Sequence, residues 1–219
     1  MRFLCLSDIH GHAEALQAVL VEAERRGFER VLVAGDLCFP GPAPLAVWKI
    51  LMSVKATFVP GLTDRALATL DLNSIQARTP YEREQVERLR STREELGELI
   101  LARLARAPST VRIPLQNADE LLLVHGSPRD PTEGISHEMS DEELSAMLGD
   151  DPADVVVCGM THVPFDRHVC GVRIINAGSV GEVPGGGFAQ GTLLTVLPTG
   201  YEVESFAVPL ARPAHGVAR

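Results

Sequence analysis

Apolar and polar positions follow a regular order along the first half of the chain. Short apolar runs typical of buried strands occur at Arg2–Leu6, Val31–Ala34 and Thr57–Val59. The segments between them, Ala13–Arg26 and Pro44–Val54, carry apolar residues at helical spacing. This alternation of strand and helix predicts parallel strands joined by right-handed crossover connections.

A long charged segment then predicts one amphipathic helix over Pro80–Ala107. Its apolar residues recur at helical spacing at Val86, Leu89, Leu96, Ile100 and Leu104. Glu84 and Arg88 form a favourable pair four residues apart, and Pro108 ends the pattern. We interpret the helix as packing one face on a sheet, with a role as a lid or a partner-binding element as the alternative.

The second half of the chain is dominated by strand patterns, with one predicted helix near Asp141–Leu148. Strands are predicted at Val111–Leu115, Glu120–Val124, Asp154–Cys158, His168–Ile175, Gly191–Leu197 and Glu202–Val208. Gly185–Gly187 follows no strand pattern and opens no helix, which favours a loop tip over a phosphate-binding loop. We expect a single domain of residues 1–210 with two packed sheets, followed by a C-terminal tail of residues 211–219.

Composition and charge narrow the class of protein. Of 219 residues, 45% are hydrophobic and 22% are charged, as in ordinary globular proteins. The formal net charge of −9 argues against binding to long nucleic acid, because neutralising phosphates requires Lys and Arg. A phosphate-bearing small molecule stays compatible with this charge, since a bound cation reverses the local field.

Neither a membrane span nor a disulfide framework is indicated. No apolar stretch approaches the roughly 20 residues that a bilayer requires. The four cysteines lack CxxC spacing, which predicts reduced core thiols and a cytoplasmic protein. Cys38 lies two residues after Asp36 and could touch a metal, although a small buried loop residue is the favoured interpretation.

Metal-ligand residues follow the ends of several apolar runs. Asp8 and His10 come directly after the first predicted strand, where Gly11 leaves room for the chain to bend. Three further residues occupy the same kind of position: Asp36, His125 and His162. Because ligands bind where the carboxyl ends of strands converge, two carboxylates and three imidazoles there predict a site for a divalent metal.

These residues belong to ordered motifs that resemble the calcineurin-like metallophosphoesterases. The motifs are Asp8-x-His10, Gly35-Asp36, Gly61-x-x-Asp64, Val124-His125-Gly126 and Gly159-x-Thr161-His162, and Asn176–Gly181 is similar to a further family signature. The segment Val124–Asp130 is especially similar to the small bacterial branch related to diadenosine tetraphosphatases and phosphodiesterases. The resemblance covers nearly the whole chain.

The resemblance implies a fold and a two-metal centre. The fold is a four-layer α/β/β/α sandwich with mixed sheets, in the α/β class. One divalent metal (Mn, Fe or Zn) would use Asp8, His10, Asp36 and His162. The second, about 3.5–4 Å away, would share Asp36 and add His125, an Asn and another His. A further His assists departure of the leaving group in such enzymes.

Three positions depart from the family pattern, and all three belong to the second metal or the catalytic acid. Leu62 stands where an Asn ligand is expected and has no donor atom. Thr63 stands where the catalytic His is expected, and its hydroxyl does not titrate near neutral pH. Met160 stands where an imidazole ligand is expected, and a thioether binds these metals poorly. We therefore predict one tight metal, with His125 as a remnant of a second site that is weak or absent.

Two residues could compensate for the losses. His12 could supply a proton or a phosphate contact at the mouth of the site, or could simply face solvent at the start of a helix. Arg129 could clamp a phosphate through two parallel hydrogen bonds, or could be an exposed loop residue.

Two hypotheses about function follow. The first is a metal-dependent phosphoesterase, with activity lowered by the eroded second site, acting as a phosphodiesterase or nucleotide phosphohydrolase on a small phosphate ester. The second is a non-catalytic relative that keeps one metal and binds a nucleotide or a partner protein. The sequence leaves the substrate, the metal and the oligomeric state open.

Overall fold

The structure of the protein is a computed structural model, and it describes residues 1–210. In chain order these residues form β1 (Arg2–Leu6), α1 (Ala13–Arg26), β2 (Arg30–Val33), α2 (Pro44–Ser53), β3 (Thr57–Phe58), α3 (Leu62–Thr69), α4 (Pro80–Arg106), β4 (Thr110–Pro114), β5 (Glu120–Val124), α5 (Asp141–Leu148), β6 (Val155–Cys158), β7 (Phe165–Val169), β8 (Val172–Asn176), β9 (Phe188–Val196) and β10 (Tyr201–Pro209). The predicted C-terminal tail, residues 211–219, lies outside the described residues.

The strands form two mixed sheets of five strands each. The first has the order β10-β9-β1-β2-β3, and the second has the order β4-β5-β6-β8-β7. In the first sheet β1, β2 and β3 run parallel, and β9 and β10 are antiparallel additions. In the second, β5, β6 and β8 run parallel, while β4 and β7 pair antiparallel at the edges.

Successive side chains of a strand point to opposite faces of its sheet. Each sheet therefore packs on the other sheet with one face and on helices with the other, which gives four layers. In β1, Phe3 and Cys5 face the core between the two sheets, whereas Leu4 and Leu6 face the core beneath the helices. Strand β5 repeats this arrangement, because Leu121 and Leu123 face the first sheet while its alternate residues pack with α5. The predicted four-layer α/β/β/α sandwich with mixed sheets is confirmed.

Two segments differ from the sequence-based predictions. Leu62–Thr69 forms α3, which was not predicted because only Asp64 and Leu67 are buried in it and no apolar stripe marks the helix. The single strand predicted at His168–Ile175 is wrong, because two strands, β7 and β8, pair antiparallel there. The turn between them, Cys170 and Gly171, has positive φ angles of 52° and 85°. Such a two-residue turn matches the twist of the strands it joins, and the apolar pattern alone did not reveal it.

Helix α4 is interrupted, although the pattern predicted one regular helix. Gly97 has φ 74° and ψ 165°, a conformation that glycine adopts without steric penalty. The predicted surface pair is present, since Arg88 Nη2 lies 2.8 Å from Glu84 Oε1. No helix between residues 1 and 210 is both long enough and apolar enough to cross a membrane.

Candidate metal centre

Five predicted ligand residues lie together where the parallel strands of both sheets end. Asp8 and His10 follow β1, and Asp36, His125 and His162 follow β2, β5 and β6. Backbone hydrogen bonds between the exit loops hold them at one edge; for example, the N–H of Asp8 donates to the carbonyl of Gly35 at 3.0 Å. The fold therefore brings residues more than 150 positions apart in sequence into one cluster.

One half of this cluster consists of Asp8, His10 and His162. Donor atoms from these three side chains lie within 4.8 Å of one another. His162 Nε2 is 3.2 Å from Asp8 Oδ1 and 3.4 Å from His10 Nε2. We call this group the first half-site.

The other half consists of Asp36 and His125, with Asp8 again within reach. These three residues also offer donor atoms within 4.8 Å of one another. Asp36 Oδ2 is 3.5 Å from His125 Nε2 and 3.9 Å from His10 Nε2. We call Asp36 and His125 the second half-site. The sequence supplied only these two residues for it, and the structure adds the carboxylate of Asp8.

The three imidazoles are oriented by the backbone. In each, Nδ1 lies against a main-chain carbonyl oxygen: His10 against Phe39 at 2.6 Å, His125 against Ala34 at 2.6 Å and His162 against Glu182 at 2.8 Å. Because a carbonyl only accepts, Nδ1 must donate, and Nε2 is the atom turned into the cluster. Metal-binding histidines are commonly fixed by a hydrogen bond of this kind.

The backbone itself is strained where these side chains leave the strands. Four ligand residues have positive φ angles, namely Asp8 at 53°, His10 at 48°, Asp36 at 53° and His162 at 59°. Such angles are uncommon outside glycine and persist only where the surrounding structure enforces them. Four of the eight non-glycine residues with positive φ between residues 1 and 210 are thus candidate ligands.

Two buried polar atoms fit a bound cation. Asp8 and His125 are almost completely buried, at 0% and 1% exposure. Within residues 1–210, Asp8 Oδ1 and His125 Nε2 have no aligned hydrogen-bond partner. Buried polar groups are nearly always satisfied, so two unsatisfied ones facing a common point fit the donor set of a divalent metal.

The carboxylates and imidazoles of the cluster shift one another's pKa values. Burial opposes ionisation of Asp36, but His125, His10 and the hydroxyl of Thr63 together hold its pKa below the usual value. Burial likewise opposes protonation of His125, but the Asp36 carboxylate raises its pKa to about 9. The Asp8 carboxylate raises the pKa of His162. A cation that binds here would therefore compete with protons for the inward nitrogens.

The sequence from residue 1 to residue 196 matches the profile of the Calcineurin-like phosphoesterase superfamily domain. The chain belongs to this superfamily. No curated protein sequence shows significant similarity to the chain.

Several solved structures share the calcineurin-like fold. A hypothetical protein, PH1004 of Pyrococcus horikoshii, matches with a TM-score of 0.80 at 19% identity, over 96% of this chain and 89% of that chain. A metallophosphoesterase from Sphaerobacter thermophilus matches with a TM-score of 0.70 at 24% identity, over 88% and 82%. The E. coli phosphoesterase YfcE matches with a TM-score of 0.53 at 22% identity, over 89% and 88%. At these identities the likeness concerns the fold.

The three positions that depart from the calcineurin-like motifs have other contacts. Thr63 donates to Asp36 Oδ1 from its hydroxyl at 2.7 Å and from its backbone N–H at 2.8 Å. Met160 donates its backbone N–H to Asp8 Oδ2 at 2.9 Å, and its side chain packs beside Gly134. Leu62, at the first turn of α3, is 45% exposed. Their backbones thus stay at the cluster, while none of these side chains supplies an imidazole or amide donor.

Asp64, the last residue of the third motif, links the loop after β2 to the loop before α3 through hydrogen bonds. Its carboxylate accepts hydrogen bonds from the backbone N–H groups of Gly61 at 3.0 Å and Leu37 at 3.0 Å. Burial and the charge of Asp36 raise the pKa of Asp64 to about 7. A side chain at Gly61 would collide with the Asp36 carboxylate, so glycine is required for this close approach. Asp64 thereby positions Asp36 without being one of the grouped donors.

His12, which the sequence analysis placed at the mouth of the site, lies beside the loop that carries Glu182. Its ring is half-buried beside Gly181, and it lines a surface depression together with Glu182. Burial lowers the pKa of His12, and Glu182 opposes that change. Its proposed role as a proton donor or phosphate contact stays a prediction.

Arg129 is not brought to the cluster by any hydrogen bond within residues 1–210. It is exposed, and its guanidinium donates to the carbonyl of Ala146 in α5 at 3.4 Å. Its backbone N–H donates to Met147 of the same helix at 3.1 Å. This arrangement favours the exposed-loop interpretation, and the phosphate role stays a prediction.

Sequence reasoning missed Glu182. Its carboxylate Oε2 lies 3.9 Å from His10 Nε2, and its backbone carbonyl accepts from His162. The available signal was its position directly after the Asn176–Gly181 signature. Asn176 at the start of that signature is buried and donates to the carbonyl of Gly159 at 2.7 Å, which fixes the loop that carries His162.

Proposed function

We propose that the protein is a metal-dependent phosphoesterase that holds one divalent cation tightly. Asp8, His10, Asp36 and His162 would be its ligands, and Mn, Fe or Zn would be the ion. The second site, left with His125 and a share of the two carboxylates, would be weak. Membership of the calcineurin-like superfamily supports the class of reaction.

One observation carries this proposal. Three imidazoles donate hydrogen bonds from Nδ1 to backbone carbonyls and turn Nε2 toward a fully buried, unsatisfied carboxylate oxygen of Asp8. Packing requirements alone do not call for such convergence, because each unsatisfied buried polar atom costs about 1–3 kcal/mol. A cation offsets that cost.

The residues around the centre suggest a division of roles. When bound, a divalent cation supplies positive charge for phosphoryl oxygens and lowers the pKa of water. Thr63 restrains Asp36 through two hydrogen bonds, and Met160 restrains Asp8 through its backbone N–H. His12 is the one titratable imidazole at the rim that lies outside both half-sites among residues 1–210, so we assign it any proton transfer to the leaving group.

The proposed substrates are small phosphate diesters or nucleotides. The net charge of −9 disfavours long nucleic acid. We also propose a reducing, cytoplasmic location, because Cys5, Cys38 and Cys158 are buried free thiols and Cys170 is an exposed one.

Elemental analysis of the purified protein, combined with an assay on a generic phosphodiester in excess Mn²⁺, tests the proposal. We expect about one ion per chain and measurable metal-dependent hydrolysis. Two tightly held ions per chain would contradict the half-site proposal. No bound ion together with no hydrolysis would contradict the metal-dependent activity.

A specific observation supports a second candidate, a non-catalytic relative that binds a metal and a nucleotide or partner. The position of the expected catalytic His is occupied by Thr63, whose hydroxyl is engaged with Asp36 rather than free for proton transfer. One tightly bound ion without turnover of any phosphate ester would favour this candidate.

A further inference from the structure

An apolar groove lies between α3 and α4, beside the candidate metal centre. We call it the Leu62 groove; it has a volume of about 300 Å³. Its apolar walls are formed by Phe39, Leu62, Leu70, Ile75, Val86 and Leu89. Leu62 and Leu70 are 45% and 41% exposed, which is unusual for large apolar side chains so close together.

The Leu62 groove adjoins the metal centre through two of the residues that line it. Thr63 lines the groove and hydrogen-bonds Asp36 Oδ1 through its hydroxyl at 2.7 Å. Phe39 lines the groove, and its carbonyl accepts from His10 Nδ1 at 2.6 Å. A phosphoryl group bound through a cation at Asp36 and His10 would therefore have this apolar groove beside it.

The walls of the groove are fixed relative to each other. Arg93 of α4 donates to the carbonyls of Leu67 at 2.7 Å and Ala66 at 3.1 Å, near the end of α3. Leu67 and Leu89 are both buried in the core beneath the groove. Preformed pockets of this kind bind apolar groups without a large ordering penalty.

We propose that the Leu62 groove binds the apolar organic group of a phosphate ester whose phosphoryl end lies at the metal centre. This inference rests on the proposed phosphoesterase function and narrows its substrate class to esters that carry a ring-sized apolar group. Leu62 then has a function of its own: it replaces the expected Asn ligand, and its side chain forms the edge of an apolar subsite. Apolar pockets with a few polar groups at one end are typical of small-molecule sites.

Calorimetric binding of phenyl phosphate and methyl phosphate to the Mn²⁺-loaded protein tests the groove. The two ligands share the phosphate and differ in the apolar group. We expect phenyl phosphate to bind about tenfold more tightly, which corresponds to about 1.4 kcal/mol. In Leu62→Ser we expect this preference to fall to about twofold.

A matched variant distinguishes an effect of the groove from an effect of losing any exposed apolar side chain. Leu99 of α4 is 89% exposed and lines a different depression, so Leu99→Ser should keep the full preference. Thermal unfolding checks that both variants fold, as expected for substitutions at exposed positions.

The remaining outcomes distinguish failure of the groove proposal from failure of the phosphoesterase function. Equal binding of the two ligands to the wild-type protein would overturn the groove proposal and leave the phosphoesterase function standing. An unchanged preference in Leu62→Ser would also overturn it. Binding of neither ligand would overturn both proposals. A wild-type dimer that Leu62→Ser converts to a monomer would assign the groove to a second copy of the chain.

Discussion

The Asp8 carboxylate lies within reach of both half-sites, which differ in what their neighbouring segments contribute. In the first half-site, the expected ligands are all present, and the loop after Asn176 adds the carboxylate of Glu182 at 3.9 Å from His10. In the second, the first turn of α3 offers the apolar side chain of Leu62 and the hydroxyl of Thr63. Nevertheless, both halves keep the same backbone scaffold, with imidazole Nδ1 atoms anchored on carbonyls.

This difference shows that the backbone of a metal-site loop can be kept while the side chains that would bind the metal are lost. Thr63 and Met160 keep their main-chain N–H groups on Asp36 and Asp8, although their side chains supply no imidazole. The loops thus hold the two carboxylates in place whether or not a second cation can bind. The half-sites can therefore be compared by substitutions that leave the scaffold intact.

The largest effect is expected from Asp8→Ala, because Asp8 belongs to both groups of donors. We expect affinity for Mn²⁺ or Zn²⁺ to fall at least about a thousandfold, since the shared anionic ligand is lost. Calorimetric titration measures the change. Asp166→Ala, which breaks only a surface pair with Arg173, is the matched control and should bind as the wild type does. Full affinity in Asp8→Ala would place the ion elsewhere.

The triple reversion Leu62→Asn, Thr63→His, Met160→His should restore the second half-site. We expect bound metal to rise from about one to about two ions per chain. Phosphodiester hydrolysis should increase about a hundredfold, within the range that a positioned general acid contributes. Elemental analysis and steady-state kinetics check the two effects separately. No gain, with substantial hydrolysis by the wild type, would indicate an altered site that already works.

His162→Ala and His125→Ala compare the half-sites directly. Loss of His162 should weaken the tight ion about thirtyfold, whereas loss of His125 should change it by less than about threefold. Both variants remove one imidazole whose Nδ1 hydrogen-bonds a backbone carbonyl, so each controls for the other. Equal losses in metal titrations would show that the two half-sites hold the ion together.

A smaller effect is expected from Glu182→Gln. Its carboxylate is partly exposed and lies 3.9 Å from His10 Nε2, so removing its charge should weaken the tight ion about threefold. Raised ionic strength should shrink the difference because the charge is partly screened. Glu202→Gln, on the far strand β10, is the control and should leave metal affinity unchanged. An effect of thirtyfold or more would make Glu182 a ligand in its own right.

Much of the fold was predictable because the segments with apolar strand or helix patterns are also the segments that the tertiary structure buries. Apolar runs such as Arg2–Leu6 became buried strands with side chains alternating between two cores. The Asp and His residues at strand ends were visible for the same reason, since parallel strands deliver their carboxyl ends to one edge.

What could not be predicted depends on contacts between distant segments. Glu182 reaches the cluster only because the loop after β8 folds over His162, and no local pattern encodes that path. The Cys170–Gly171 turn was missed because Val169 and Cys170 before Gly171, and Val172 after it, give the appearance of one apolar strand. The placement of Arg129 against α5 likewise depends on the packing of that helix.

The left-handed conformations at Asp8, His10, Asp36 and His162 limit which residues can replace them. Asp, Asn, His and Gly adopt such angles more readily than bulky or β-branched residues do. These four positions therefore accept few kinds of side chain. Leu62 and Thr63 lie in a helical turn, where no such restriction applies.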